Sequence, residues 1–190
     1  MSSDLLIGWL LGIASSLITG LFMFWLEGQR EQRRERLKQR LDDYRTALNW
    51  KEHGQKLSLR GFNLEGANLS GKDFSGADLE GANLQGAILW KTNLEGANLR
   101  AVNFRKANIK GCSFRRAMLY SADFAEAIVV RGDFSEAIVL RAKLRGASAF
   151  EDCTWRDVVF DRTTELTHEL AIEMQRPPAA PDDTTPAGRQ

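Results

Sequence analysis

Large apolar residues recur at every fifth position for eighteen repeats, from Leu59, Leu64, Leu69 and Phe74 through to Phe134, Val139 and Leu144. An α-helix brings a side chain back to one face after about 3.6 residues and a strand after 2. A period of five fits neither, so this segment is neither a long helix nor an ordinary strand. The residues around each apolar centre are patterned too. Two before it the side chain is small, as at Ala67, Ala77, Ala97, Ala107, Cys112 and Ala137. One before it is often Asn or Asp, and two after it, in the first half, is often Gly.

The units GANLS, GADLE and EGANL resemble the pentapeptide-repeat family, whose unit is typically A-(D/N)-L-x-x; the likeness runs from about residue 57 to 160. It implies an all-β solenoid, a right-handed quadrilateral β-helix in which each repeat makes one side of a square and four repeats make one coil. Centres and the small residues two before them then point inward, and Gly suits the corners. Coils stack about 4.8 Å apart, so about five coils over residues 57–162 make a rod of roughly 25 Å. The register slips once. Position 149 is alanine, while Phe150, Trp155 and Phe160 continue the spacing one residue late. A bulge or corner insertion near residues 146–148 explains the shift.

Ahead of the repeats, after a short tail of residues 1–4, residues 5–26 (LLIGWLLGIASSLITGLFMFWL) carry no charge. As a helix they are long enough to cross a bilayer, with Trp9 and Trp25 towards the two interfaces. A cleaved signal peptide fits less well, because no basic side chain precedes the run and no small-x-small site follows it. Arg30, Arg33, Arg34 and Arg36 follow the span, which by the positive-inside rule puts the solenoid on the cytoplasmic side of the inner membrane and the N-terminus outside. Gly8, Gly12, Ser16 and Gly20 repeat every four residues, a spacing that lets two membrane helices pack closely. Residues 27–53 read as a charged connector helix with a short apolar seam at Leu37, Leu41, Tyr44 and Leu48, stopping at His53-Gly54. The seam pairs with a second copy or folds onto the solenoid.

After the repeats, residues 163–176 read as a helix capped by Thr163 or Thr164, with Leu166, Leu170 and Met174 on one face. It is expected to cover the last coil. The resemblance adds a second role, because in some relatives a C-terminal element makes a dimer contact. Residues 177–190 lack apolar periodicity and are expected to be disordered.

The chain has two cysteines and two histidines, too few for a disulfide framework or a Cys/His metal site. Cys112 and Cys153 both fall at the small inward position and are expected to be buried thiols. No nucleotide-binding or hydrolase motif appears, and flanking positions supply ladders rather than a pocket, so neither an enzyme nor a cofactor is expected. Stacking at a period of twenty sets Met118, Tyr120, Ile138 and Leu140 together on one side, and Ile88 and Trp90 on the opposite side near Ile128 and Val130. Contiguous exposed apolar side chains usually mark contacts.

Together these features point to a single-pass, membrane-anchored protein-interaction scaffold without catalysis, either a homo-oligomer or bound to a membrane or cytoplasmic protein. One alternative is a regulatory subunit of a membrane assembly, held through the small-residue face. The resemblance offers another, mimicry of duplex DNA to protect a topoisomerase. That needs an acidic surface, whereas residues 97–147 carry ten basic and four acidic side chains. Like charge opposes contact with a DNA-binding groove, and nucleic acid itself is not expected as a partner.

Overall fold

The computed structural model describes residues 3–53, 58–147 and 149–174, with the side chains of residues 3–19, 53, 149, 168, 169 and 173 outside that description. The chain divides into two compact units, Met1–Asp42 and Asp43–Gln190. The helix α1, Ser3–Leu48, supplies the first unit and contributes its last turns to the second.

In the first unit, Leu21, Phe22, Met23, Phe24 and Trp25 are all exposed, and Phe22 stacks on Trp25 at 6.1 Å. Among the described residues no helix is long and apolar enough to cross a membrane. Most of the expected span, including Gly8, Gly12 and Ser16, has its side chains outside the described residues. Gly20 is described, and a Cβ there would meet nothing within 4 Å. Arg30, Arg33, Arg34 and Arg36 are exposed, with Arg34 3.8 Å from Glu31.

The second unit is a parallel β-helix. Residues twenty apart pair in register on all four walls, as in Asn63 with Asn83, Asp73 with Asn93 and Asp78 with Asn98. Among the described residues one wall forms continuous strands: β1 Ile88–Trp90, β2 Asn108–Lys110, β3 Ile128–Val130 and β4 Ala149–Glu151, ordered β1-β2-β3-β4 and all parallel. Walls are numbered here by their first centres: wall 1 from Leu59, wall 2 from Leu64, wall 3 from Leu69 and wall 4 from Phe74. β1–β4 lie on wall 3.

Each side of the square has one local solution. The residue two after the centre takes a left-handed conformation, with φ of 50–70° at nineteen corners. Eight of these are glycine, for which that conformation costs nothing sterically. The other eleven include Lys91, Lys106, Arg116 and Arg141, which bear a strain of roughly 1 kcal/mol each. Coil hydrogen bonds hold them there: the Arg116 amide donates to the Ser135 carbonyl at 3.0 Å. The Asn or Asp before the centre closes a second gap. Its side-chain oxygen accepts the N–H two residues on, as Asp73 does for Ser75 at 3.0 Å and Asp123 for Ala125 at 2.9 Å. This is an Asx turn, and it explains the Asn/Asp preference at that position.

The core has two halves. Leucines fill most of the first coils, with Phe74 among them. Beyond Leu99 come aromatic columns: Phe104 stacks on Phe124 at 4.9 Å on wall 2, and Phe114, Phe134 and Trp155 stack at 4.7 and 4.3 Å on wall 4. The columns meet edge to face across the centre, Phe104 with Phe114 at 6.0 Å and 87°. Offset stacks and T-shapes are the favoured arrangements of ring quadrupoles.

Both ends of the solenoid depart from the regular repeat. α1 stops at Leu48, followed by a 3-10 turn Trp50–His53; Gly54, the expected stop, lies outside the described residues. Ala47 and Trp50 are buried, with Trp50 6.0 Å from Phe74, so these residues close the first coil. Leu37 and Leu41 are exposed while Tyr44 and Leu48 pack on the core, which divides the expected seam. Cap side chains stand in for the coil that is missing beneath: Asp43 accepts the Asn63 N–H at 2.8 Å, and the Tyr44 hydroxyl donates to the Asn68 carbonyl at 3.2 Å.

At the far end the one-residue slip appears where expected, since Ile128 pairs with Ala149 and Val129 with Phe150. A second extra residue follows, because Lys143 pairs with Glu165. Leu166 is therefore the next centre rather than a helix residue, and the helix α2 forms only over His168–Met174. Thr164 is not its cap. That hydroxyl is buried and donates to the Val139 carbonyl at 3.0 Å, while Thr167 caps α2 by accepting the Leu170 N–H at 3.2 Å. Leu170 and Met174 are buried over the last coil.

Candidate functional site

Two surface regions of the solenoid stand apart from its regular ladders. The first is the distal part of wall 1. Met118 pairs with Ile138 and Ile138 with Val159, setting three apolar side chains in one column. Tyr120 and Leu140 form a second column beside it. Met118, Ile138 and Leu140 are half-buried, Tyr120 is 36% exposed and Val159 49% exposed. Val159 was hidden from the sequence reading by the slip in register, although the shifted centre Phe160 was visible and points to it. Arg141 holds Tyr120 in place, donating to its hydroxyl at 3.0 Å with the guanidinium 5.6 Å from the ring centroid.

The second region is wall 3, where Trp90 and Ile128 are each nearly half exposed and Ile88 is half-buried. Asn108 separates the two isoleucines and accepts the Trp90 indole N–H at 3.1 Å. The other two walls are polar, as their sequence implies.

The charges are more ordered than composition suggests. Arg60 meets Glu80 at 2.8 Å, Arg105 meets Glu126 at 2.9 Å and Arg116 meets Glu136 at 2.8 Å, each pair about one coil apart. The Glu136 carboxyl is held below its usual range, chiefly by the Arg116 hydrogen bond. The acidic side chains of the first coils are thus partly neutralised in place. Most basic residues of the distal half also have a carboxylate neighbour. Arg100, Lys110, Arg141 and Arg145 have none within 4.0 Å among the described residues, nor does Lys91 nearer the first coils. The twenty-residue period would have revealed these ladders had opposite charges been matched coil to coil.

Among the described residues no three His, Cys, Asp or Glu side chains gather as a metal site would need. Cys112 and Cys153 are free thiols; Cys112 is buried and donates to the Leu89 carbonyl, and Cys153 is half-buried and 3.8 Å from the Val129 carbonyl. Burial pushes the Cys112 thiol up to about 11, so it stays protonated and unreactive at neutral pH. Thr92 uses the same slot identically, donating to the Leu69 carbonyl at 3.0 Å. These side chains satisfy backbone carbonyls inside the coil.

The Pentapeptide repeats profile matches residues 58–96, 77–116 and 97–135, eight copies in all. Similar solved structures include a pentapeptide-repeat protein from the Arabidopsis thaliana thylakoid lumen, at 27% identity over 60% of this chain and 74% of that one, with a TM-score of 0.38. HetL of the cyanobacterium Nostoc, involved in heterocyst differentiation regulation, is 23% identical over 58% of this chain and 53% of its own, with a TM-score of 0.32. QnrB1, a plasmid-mediated fluoroquinolone resistance protein, is 16% identical over 54% and 57%, with a TM-score of 0.36. The chain thus spans little more than half the length of the last two. No curated protein matches it.

Proposed function

The chain belongs to the pentapeptide-repeat family, and on that footing we propose that it is a non-catalytic interaction scaffold, anchored in the inner membrane by α1, whose wall 1 binds a second copy of itself. The observation that carries this reading is the distal apolar face, Met118, Tyr120, Ile138, Leu140 and Val159, on a rigid wall whose neighbours are otherwise polar. The order of side chains along that wall supports a second copy as the occupant. Following successive centres come Arg100, Tyr120, Leu140 and Asp161: a cation, two apolar residues and an anion. An antiparallel two-fold pairing brings Tyr120 against Leu140 of the second copy and Arg100 against its Asp161. Such self-complementarity is what a two-fold interface requires. Arg100 has no carboxylate partner within its own chain among the described residues, and Asp161 is exposed.

Anchoring rests on the uncharged run of residues 5–26, the exposed apolar side chains from Leu21 to Trp25, and the exposed arginines that follow. A membrane helix holding two copies in one plane raises their effective concentration and so strengthens a modest solenoid contact. The every-fourth spacing of Gly8, Gly12, Ser16 and Gly20 in the sequence also suits close helix packing. It equally suits the alternative of a regulatory subunit docked on a membrane assembly. DNA mimicry draws less support, because the acidic residues Asp78 and Glu80 lie beside Arg60.

A charge swap tests the reading. Arg100→Asp in the full chain should weaken self-association in detergent micelles at least tenfold, and Asp161→Arg added to it should restore association. Loss without rescue, or no loss at all, would remove wall 1 as the self-contact.

A further inference from the structure

A groove at the corner between walls 3 and 4 has a composition unlike any other corner of the solenoid. Ser70, Gly71, Trp90, Lys91, Lys110, Gly111 and Arg131 line a space of about 720 Å3. The coil geometry dictates their meeting. Trp90 and Lys110 are register partners in β1 and β2. Lys91, Gly111 and Arg131 occupy one left-handed corner column in three successive coils. Gly111 in the middle of that column keeps the groove open, since any side chain there would project between Lys91 and Arg131; a Cβ alone would come 3.8 Å from Lys91 Cγ.

Two observations separate this place from the ordinary ion ladders. Its two lysines are not neutralised, since Lys91 and Lys110 have no carboxylate within 4.0 Å among the described residues, and Arg131 has only the solvent-exposed Asp152 at 3.9 Å, both side chains being at least 70% exposed. Three positive charges grouped in one groove repel one another and attract an anion. The aromatic among them is also fixed and open. Trp90 is 48% exposed, and its N–H is already committed to Asn108, so its polar edge is satisfied and its ring is left to stack. Ser70 adds a hydroxyl that is buried and has no hydrogen-bond partner among the described residues.

An exposed indole beside unpaired lysines and an arginine matches a ligand that is flat at one end and multiply anionic at the other. We propose that this groove binds a nucleoside phosphate, with the base stacked on Trp90 and the phosphate held by Lys91, Lys110 and Arg131. The volume lies in the range of small-ligand sites. This site is on a different wall from the self-contact proposed above and stands or falls independently of it.

The test is a titration of the full-length chain in neutral detergent with AMP and ATP, read by calorimetry and by tryptophan fluorescence. Adenosine, inorganic phosphate, an oligothymidylate and phosphatidylglycerol vesicles serve as rival probes. ATP should bind most tightly, with AMP at least tenfold tighter than adenosine or phosphate. Trp90→Leu should weaken AMP binding about tenfold, the scale of one lost base–aromatic stack, while Trp90→Phe retains most of it. Lys91→Gln with Lys110→Gln should weaken ATP more than AMP and flatten the salt dependence. Arg145→Gln, an unpaired cation on wall 2, should leave nucleotide binding unchanged. Unchanged melting temperatures for all variants establish that folding is not being read. Absence of saturable nucleotide binding, binding that Trp90→Leu leaves intact, or capture of vesicles or oligothymidylate without AMP would each overturn the proposal.

Discussion

The first and second halves of the solenoid solve the same geometric problem with different chemistry. Between residues 58 and 96 most corners are glycine, most centres are leucine, and side-chain amides bridge the coils, as the Asn93 amide donates to Asp73 at 3.1 Å. Between residues 97 and 147 most corners are Ala, Ser, Lys, Arg or Glu forced into the left-handed region, the centres include four stacked phenylalanines, and arginine–carboxylate pairs replace many of the amide bridges. The two changes belong together. Non-glycine corners strain the chain, and rings stacked in two columns add attraction that leucines lack, roughly 0.5–1.5 kcal/mol per pair. Corner side chains also populate the surface. The second half can therefore present Lys91's counterpart Arg131, Arg141 over Tyr120, and the apolar columns of wall 1. A glycine corner presents nothing.

This contrast can be broken most forcefully in the core. Phe134→Ala should cost about 3–5 kcal/mol in urea unfolding, because its ring lies between Phe114 and Trp155. Leu94→Ala, at the matching position of an earlier coil, should cost nearer the lower end, about 2–3 kcal/mol. Equal costs would mean that the aromatic columns add nothing beyond volume. Gly132→Ala comes next. Its Cβ would sit 2.8 Å from Phe134 Cε2, a ring held on both sides, so overpacking should cost about 1–3 kcal/mol even though the position needs no left-handed backbone.

A corner exchange gives a smaller effect. Gly86→Ala should destabilise by about 1 kcal/mol, and Ala101→Gly should be neutral or stabilising by up to a similar amount. Thermal melts of the two variants that shift in the same direction would remove corner strain as a difference between the halves.

The smallest effect concerns pH and the proximal cap. The Lys51 ammonium beside Asp73, with help from Ser75, holds that carboxyl down from 3.8 to about 2. A lowered carboxylate adds stability above its ordinary value and loses it as pH falls towards the folded one. Amide exchange in the first coil should therefore quicken between about pH 4 and pH 2, and Lys51→Gln should abolish that step. An unchanged step in the variant would assign the acid sensitivity to another group.

Much of this was legible before any coordinates. The five-residue period carried the walls, the inward small positions carried the burial of Cys112, though Cys153 is only half-buried, and Ala149 beside Phe150 marked the first extra residue. The second extra residue was not legible. Leu166, Leu170 and Met174 are spaced for a helix, and that periodicity masked the Thr-x-Leu pattern that makes Leu166 a centre. The burial of Ala47 and Trp50 was equally hidden, because cap residues follow the shape of an open end rather than any repeat. Left-handed Lys, Arg and Glu corners defy local preference, and they are set by coil hydrogen bonds that involve residues twenty positions away. The ion ladders were recoverable but needed charges compared across coils. Trp90 was visible, whereas the groove beside it required knowing that Lys91 and Arg131 share a corner column.

Whether wall 1 joins two copies is read most directly from the solution mass of residues 43–190, measured by light scattering across concentration. That fragment retains the whole described core, including Ala47 and Trp50. A concentration-dependent dimer is expected, and Leu140→Asp should return it to monomer without lowering the melting temperature. A monomer at every concentration, or a dimer indifferent to Leu140→Asp, would contradict pairing through wall 1.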